Sequence, residues 1–132
     1  MKTVNWGIVG CGNVCERKSG PAMYKTPHSA LAAVMRRDAE KVADFARRHN
    51  VPKSYTDAAA LIADPEVDIV YVATPPGTHR ELAVQALEAG KPVYVEKPMA
   101  MNHAECLEMI EAAEKAGKIA PGALIIEPTS GN

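Results

Sequence analysis

The stretch that decides the fold is "TVNWGIVGCGNVC", residues 3–15. Its first part, "TVNWGIVG" (3–10), is rich in apolar β-forming residues and predicts a strand. Gly10 and Gly12 then predict a tight turn, and helix-compatible sequence begins directly after it. A strand, a glycine turn and a helix in this order are typical of the first unit of a parallel sheet covered by helices.

The rest of the chain repeats this alternation. Further strands are predicted at 29–37 ("SALAAVMRR"), 54–57 ("SYTD"), 67–74 ("VDIVYVAT"), 91–98 ("KPVYVEKP") and 123–127 ("ALIIE"). Gly20 and Pro21 break the first connection into two short helical pieces, and Asp38, Asp57 and Asn102 are predicted caps of later helices. The pattern predicts one α/β domain over 1–132: a Rossmann-like doubly wound parallel sheet, strand order 3-2-1-4-5-6, in three α/β/α layers.

Composition narrows the classes of partner. The 132 residues carry a net charge of −1, with 15 basic and 16 acidic side chains, so no overall field attracts nucleic acid or an anionic membrane. Cys11, Cys15 and Cys106 have no metal-ligand spacing, and an odd number of thiols favours a reducing compartment. The start "MKTVNWGIVG" lacks a signal-peptide core, and no apolar run reaches membrane-spanning length. We therefore expect a cytoplasmic domain without a metal site.

The glycine turn has the context of a dinucleotide-binding motif. Gly10 is expected to make the tight turn, and Gly12 to let the main chain approach a pyrophosphate. The N–H groups of Asn13 and Val14, at the predicted helix start, are expected to face its negative charge. The third glycine of the motif is replaced by Cys15. Either helix and strand must pack further apart, or the helix start must shift; an ordinary glycine-rich turn is the alternative.

Two arginines follow the second strand. Roughly 25 residues after the glycine turn, a carboxylate would bind the ribose 2′-hydroxyl of NAD(H). Arg36 and Arg37 stand there instead, and a guanidinium pairs with a 2′-phosphate through parallel hydrogen bonds. The pair therefore predicts NADP(H) over NAD(H). The alternative is a solvated basic strand end, partly neutralised by Asp38.

Four motifs occur in a family-specific order: "GIVGCGNV", "VMRRD", "VYVATPPGTH" and "VYVEKPMA". With them, residues 1–117 resemble the N-terminal nucleotide-binding domain of the glucose–fructose oxidoreductase, inositol dehydrogenase and rhizopine-catabolism family. The resemblance implies that Lys97 lies near the nicotinamide and acts in substrate binding and catalysis once a substrate domain is present. It also implies cofactor-site roles for Thr74, Pro75, Pro76, His79, Glu96 and Pro98, and a cis Lys97–Pro98 bond.

The predicted strand positions agree with this mapping. The segments "TPPGTH" (74–79) and "EKP" (96–98) both lie at carboxyl ends of parallel strands, where ligands bind in open α/β sheets. Lys97 could orient a substrate hydroxyl or assist its proton loss there. The alternative is a surface lysine at a strand end. The family's second, largely β-sheet domain does not fit in this chain, so we expect cofactor binding without turnover, and self-association through surface that such a domain would cover.

The last residues resemble a different family. From Lys118, "IAPGALIIEPTSGN" is similar to a strand and Ser/Thr-Gly-Asn loop of the cysteine synthase and cystathionine β-synthase enzymes, which use pyridoxal phosphate. The resemblance implies a chimera joined near residue 118, with 118–132 supplying the sixth strand and a loop. Pyridoxal phosphate itself is not expected to bind, because the loop's following helix and a Schiff-base lysine in its own motif are absent. An engineered or recombined scaffold is thus the alternative to a nucleotide-binding domain.

Overall fold

The computed structural model describes residues 2–12 and 15–117, and these form an α/β domain around a five-stranded sheet. All four neighbouring pairs of strands are parallel, in the order β3-β2-β1-β4-β5. This confirms the predicted strand order for five strands; the predicted sixth strand, 123–127, lies outside the described residues. The strands are β1 Val4–Val9, β2 Ser29–Met35, β3 Lys53–Tyr55, β4 Ile69–Val72 and β5 Val93–Val95.

Helical segments connect these strands. Two have side-chain caps as predicted: Asp38 accepts from Lys41 N at 3.0 Å, and Asn102 accepts from Glu105 N at 2.9 Å. Asp57 lies at the N-cap position of the next helix, as predicted, and its main-chain oxygen accepts from Leu61 N, but its side chain makes no capping hydrogen bond. The segments are a π-helical turn Cys15–Ser19, α1 Gly20–Lys25, α2 Ala39–Arg48, α3 Ala58–Ala63, a 3₁₀ turn Pro76–Thr78, α4 His79–Glu88 and α5 His103–Lys115.

Apolar side chains are buried on both faces of the sheet, which confirms the three layers. On one face α1 and α2 cover Ile8 and Val34, with Phe45 as the largest side chain contributed by α2. On the other face α3 and α4 cover Val9 and Val70. Parallel sheets are expected to be covered on both sides in this way.

The outermost helix, α5, is only partly buried. Of the apolar side chains on one of its faces, Met109 is buried, while Cys106, Ile110 and Ala113 are half-buried. The reason is that α5 packs mainly against α4. Within residues 2–12 and 15–117, no helix is long and apolar enough to cross a lipid bilayer.

A buried carboxylate joins several elements at the amino ends of the strands. Asp64, whose side chain is 2% exposed, accepts hydrogen bonds from Lys53 Nζ at 2.9 Å, Tyr55 Oη at 2.6 Å and Glu66 N at 2.8 Å. The main-chain oxygen of Asp64 accepts from Lys91 Nζ at 2.5 Å. The hydrogen bond from Tyr55, with those from Glu66 N and Lys53, lowers the pKa of Asp64 to about 2.

We expect Asp64→Asn to lower the free energy of unfolding by about 2 kcal/mol at pH 7, because the charged acceptor shared by these donors is lost. The folded pKa lies below the unfolded value of about 3.9, so the stabilisation is fully present above about pH 4 and is lost as the pH falls through about 2. Urea unfolding of both proteins between pH 7 and pH 2.5 should show their difference shrinking.

Glu66→Gln is the matched control. Glu66 also pairs with Lys53, at 3.1 Å, but its side chain is 69% exposed, so its removal should change stability by less than about 0.5 kcal/mol. Equal losses in both variants would contradict the role given to Asp64.

Candidate functional site

The carboxyl ends of four strands meet at one edge of the sheet. After β1, Gly10 N and Cys11 N both donate to Met35 O at the end of β2, at 2.9 and 3.1 Å. Ala73 N, after β4, donates to Val9 O at 2.9 Å, and Glu96 N, after β5, donates to Val72 O at 2.9 Å. The segments singled out from the sequence therefore lie side by side at this edge.

Gly10 and Gly12, the two glycines of the turn, have different structural surroundings. Gly10 has a φ of +90°, and a Cβ there would lie 2.7 Å from Thr74 Cγ2 and 3.0 Å from Thr74 N. Gly10 is thus required by the protein's own geometry. Apart from its two chain neighbours, no described residue lies within 4 Å of the place that a Cβ on Gly12 would occupy. The open surface at Gly12 fits the close approach of a pyrophosphate; Asn13 and Val14 lie outside the described residues.

The missing third glycine is compensated by a shifted helix. Cys15 is fully buried and begins the π-helical turn, and regular α-helix begins only at Gly20. A Cβ on Gly20 would collide with the main-chain oxygen of Cys15, at the start of the π-helical turn, so glycine is required where this turn meets α1. Burial raises the pKa of Cys11 to about 11 and that of Cys15 to about 12, so both are inert, turn-filling thiols at neutral pH.

The two arginines after β2 are placed differently. Arg36 is half-buried, and its Nη1 lies 3.5 Å from Cys11 O in the glycine turn. Arg37 is exposed, and Asp38 caps α2 through Lys41 N. Arg36 borders a cavity of about 240 Å³ beside the turn, lined also by Glu16, Glu40, Lys41, Asp44, Phe45 and Arg48.

Two carboxylates of this cavity, Glu16 and Asp44, are paired with Arg48. Glu16 accepts from Arg48 Nη2 at 3.0 Å and contacts His49 Nε2 at 2.8 Å. The hydrogen bonds from Arg48 lower the pKa of Glu16 to about 2, so its negative charge is offset within the cavity. His49 lies at the C-cap of α2, and its ring stacks on that of Phe45, with 4.2 Å between the ring centroids.

The residues of the loop after β4 differ in their exposure and in their contacts. Thr74 contacts the glycine turn, Pro75 is exposed, and Pro76 begins a 3₁₀ turn. His79 is 1% exposed, with Nδ1 2.8 Å from Pro98 O and Nε2 2.7 Å from Thr74 O. Both ring nitrogens are engaged by the protein, so His79 joins two loops of the site and offers a ligand no open polar atom.

The segment after β5 carries the predicted lysine. Lys97 and Pro98 are exposed and joined by a cis peptide bond, as the resemblance implied. Glu96 accepts a hydrogen bond from Tyr71 Oη, and Ser19 Oγ lies 3.1 Å from the same hydroxyl. In the sequence, Tyr71 is predicted only as part of a strand. Its hydroxyl group could have indicated this contact, because a tyrosine hydroxyl in a buried strand needs a hydrogen-bond partner.

The part of the chain that the structure describes contains no set of metal ligands. There, no group of three or more His, Cys, Asp or Glu side chains is arranged to hold a metal ion.

Comparison with known proteins agrees with this geometry. Residues 4–121 match the model of the oxidoreductase family with an NAD-binding Rossmann fold. The chain belongs to this oxidoreductase family. It is 52% identical over 113 residues to oxidoreductase P35 of Formosa agariphila, which covers 86% of the chain and 35% of that protein.

Solved structures give the same fold. KijD10, a 3-ketoreductase from Actinomadura kijaniata in complex with TDP-benzene and NADP, matches with a TM-score of 0.83 and 28% identity over 88% of this chain and 36% of its own. An oxidoreductase from Agrobacterium radiobacter in complex with NAD+, L-tartaric acid and magnesium matches with a TM-score of 0.82 and 27% identity, covering 88% and 34%. The chain thus spans about a third of the length of the relatives it matches.

Substituting each glycine of the turn should separate folding from binding. Gly10→Ala forces a side chain into a positive-φ position against Thr74 and should cost about 2 kcal/mol or more of stability. Gly12→Ala adds a methyl group that meets no described residue beyond its chain neighbours, so the free energy of unfolding should change by less than about 1 kcal/mol while dinucleotide affinity falls about tenfold. Urea unfolding and nicotinamide fluorescence titration measure the two effects; unchanged affinity in Gly12→Ala would contradict this reading of the turn.

Proposed function

We propose that this chain binds NADP(H) at the carboxyl edge of its sheet, as the nucleotide-binding domain of an enzyme that transfers hydride to or from a sugar or polyol. The observation that carries the proposal is the open main chain at Gly12 beside the half-buried guanidinium of Arg36. When bound, the nicotinamide ring would supply or accept the hydride. The chain's own residues would hold the pyrophosphate at the turn and the 2′-phosphate at Arg36.

Several contacts support NADP(H) over NAD(H). Arg36 is held beside the turn and borders the cavity, where the 2′-hydroxyl of the adenine ribose would be expected. The carboxylate of Glu16 in that cavity is paired with Arg48, which reduces its repulsion of a phosphate. The related proteins include one solved with NADP and one solved with NAD+, so the choice of cofactor rests on these residues.

Lys97 is proposed as the catalytic residue of the complete enzyme. It lies on an exposed segment at the same edge as the glycine turn, where a substrate above the nicotinamide could reach it. Its ammonium group could orient a substrate hydroxyl or take part in its proton transfer. The ligands of the related structures, TDP-benzene and L-tartaric acid, belong to those proteins; the substrate class proposed here follows the family resemblance.

A recombined scaffold remains the second proposal, in which residues 118–132 derive from a pyridoxal-phosphate enzyme. The family match runs to residue 121, past the supposed join, and so does not favour it. Pyridoxal phosphate is not proposed as a cofactor. Cys11, Cys15 and Cys106 are free thiols, which supports the proposal of a reducing, cytoplasmic setting.

Arg36→Gln should weaken NADPH binding about tenfold and leave NADH binding within about twofold, because only NADPH carries the 2′-phosphate. Arg37→Gln is the matched control, since Arg37 is exposed and does not border the cavity. Fluorescence titration with NADPH and with NADH measures two affinities for the parent and two for each variant. Equal affinity of the parent chain for NADH and NADPH, or equal effects of the two substitutions, would contradict the assignment.

We expect the 132-residue chain alone to bind cofactor without appreciable turnover. It covers about a third of its relatives, and hydride transfer requires a substrate carbon held against the nicotinamide by groups on both sides. Absorbance at 340 nm should stay at the buffer rate with NADPH and keto sugars, and with NADP+ and polyols. Sustained turnover by the purified chain, abolished in Lys97→Ala, would contradict this expectation.

A further inference from the structure

The segment Glu96–Pro98 lies at the surface of the domain. It follows a strand of three residues, and both Lys97 and Pro98 are exposed. An exposed segment of this kind samples several main-chain conformations unless other elements hold it. Side chains from two other elements contact it, one on each side of Lys97.

Tyr71 holds the side before Lys97. Its ring is 2% exposed on β4, and its hydroxyl donates to Glu96, whose other carboxylate oxygen accepts from Lys97 N at 3.3 Å. A hydroxyl has one hydrogen to donate, so Ser19, 3.1 Å away, is the donor to the oxygen of Tyr71. Burial and the hydrogen bond to Glu96 raise the pKa of Tyr71, which keeps the hydroxyl protonated as a donor.

His79 holds the side after Lys97. Its ring lies between Pro98 O and Thr74 O, and carbonyl oxygens can only accept. A neutral ring therefore makes one of the two hydrogen bonds, and a ring with a hydrogen on each nitrogen makes both. Through His79 the loop after β5 is tied to the loop after β4, which itself contacts Gly10 through Thr74.

We infer that Tyr71 and His79 are positioning residues that fix the main chain on either side of Lys97 and so set where its side chain meets the cofactor edge. The inference rests on the proposed function for the role of Lys97, while the arrangement itself does not require a cofactor. Tyr71 is 2% exposed and His79 is 1% exposed, so both would act on the geometry of Lys97 through the main chain beside it.

The test uses Tyr71→Phe and His79→Asn in the 15N-labelled chain without cofactor. Tyr71→Phe removes one oxygen and keeps the ring contact with Tyr94, at 5.5 Å between centroids. We expect the amides of Lys97 and Met99 to exchange with solvent at least about tenfold faster in both variants, while the amides of Ile8 and Val70 in the central strands stay unchanged. Tyr94→Phe is the matched control, because it removes the same hydroxyl from a half-exposed neighbouring ring.

A merely structural role would raise exchange throughout the sheet, and that outcome, or unchanged Lys97 and Met99 amides, would overturn the inference. If His79→Asn fails to fold, Tyr71→Phe decides alone. The same samples are then titrated with NADPH, where shifts of the Lys97 amide seen in the parent should fall by at least about half in the variants. Absence of NADPH binding by the parent would contradict the proposed function, while the cofactor-free exchange still decides the positioning role.

Discussion

The contact between Gly10 and Thr74 is the constraint on which the site depends. The turn after β1 passes so close to the end of β4 that a Cβ on Gly10 would lie 2.7 Å from Thr74 Cγ2. Only a residue without a side chain, at a φ of +90°, allows that approach. Gly12, two residues further on, is half-buried and lies at the edge where the other strands also end.

From that contact, a series of contacts through His79 extends to the segment that carries Lys97. Thr74 O contacts the ring of His79, the same ring contacts Pro98 O, and the cis Lys97–Pro98 bond lies beside it. On the opposite side Tyr71 fixes Glu96. The predicted phosphate turn and the predicted lysine are thus connected through protein atoms, which makes their relative placement a property of the folded domain.

Much of the fold could be predicted because the signals are local. Strand order follows from alternating strand and helix patterns, and the caps at Asp38 and Asn102 involve residues three apart in sequence. What could not be predicted depends on residues far apart: Tyr71 meets Glu96 across 25 positions, and Arg48 meets Glu16 across 32. The partial burial of α5 shows the same limit, because it depends on the packing of α5 against α4.

The most direct test of a nucleotide site at the carboxyl edge is a 1H–15N titration of the labelled chain with NADPH. The account predicts saturable shifts concentrated at Gly10, Gly12, Arg36 and Thr74. Amides near Lys53 and Asp64, at the amino ends of the strands, should not move. Shifts centred on Lys53 and Asp64, or none at millimolar NADPH with a folded chain, would contradict it.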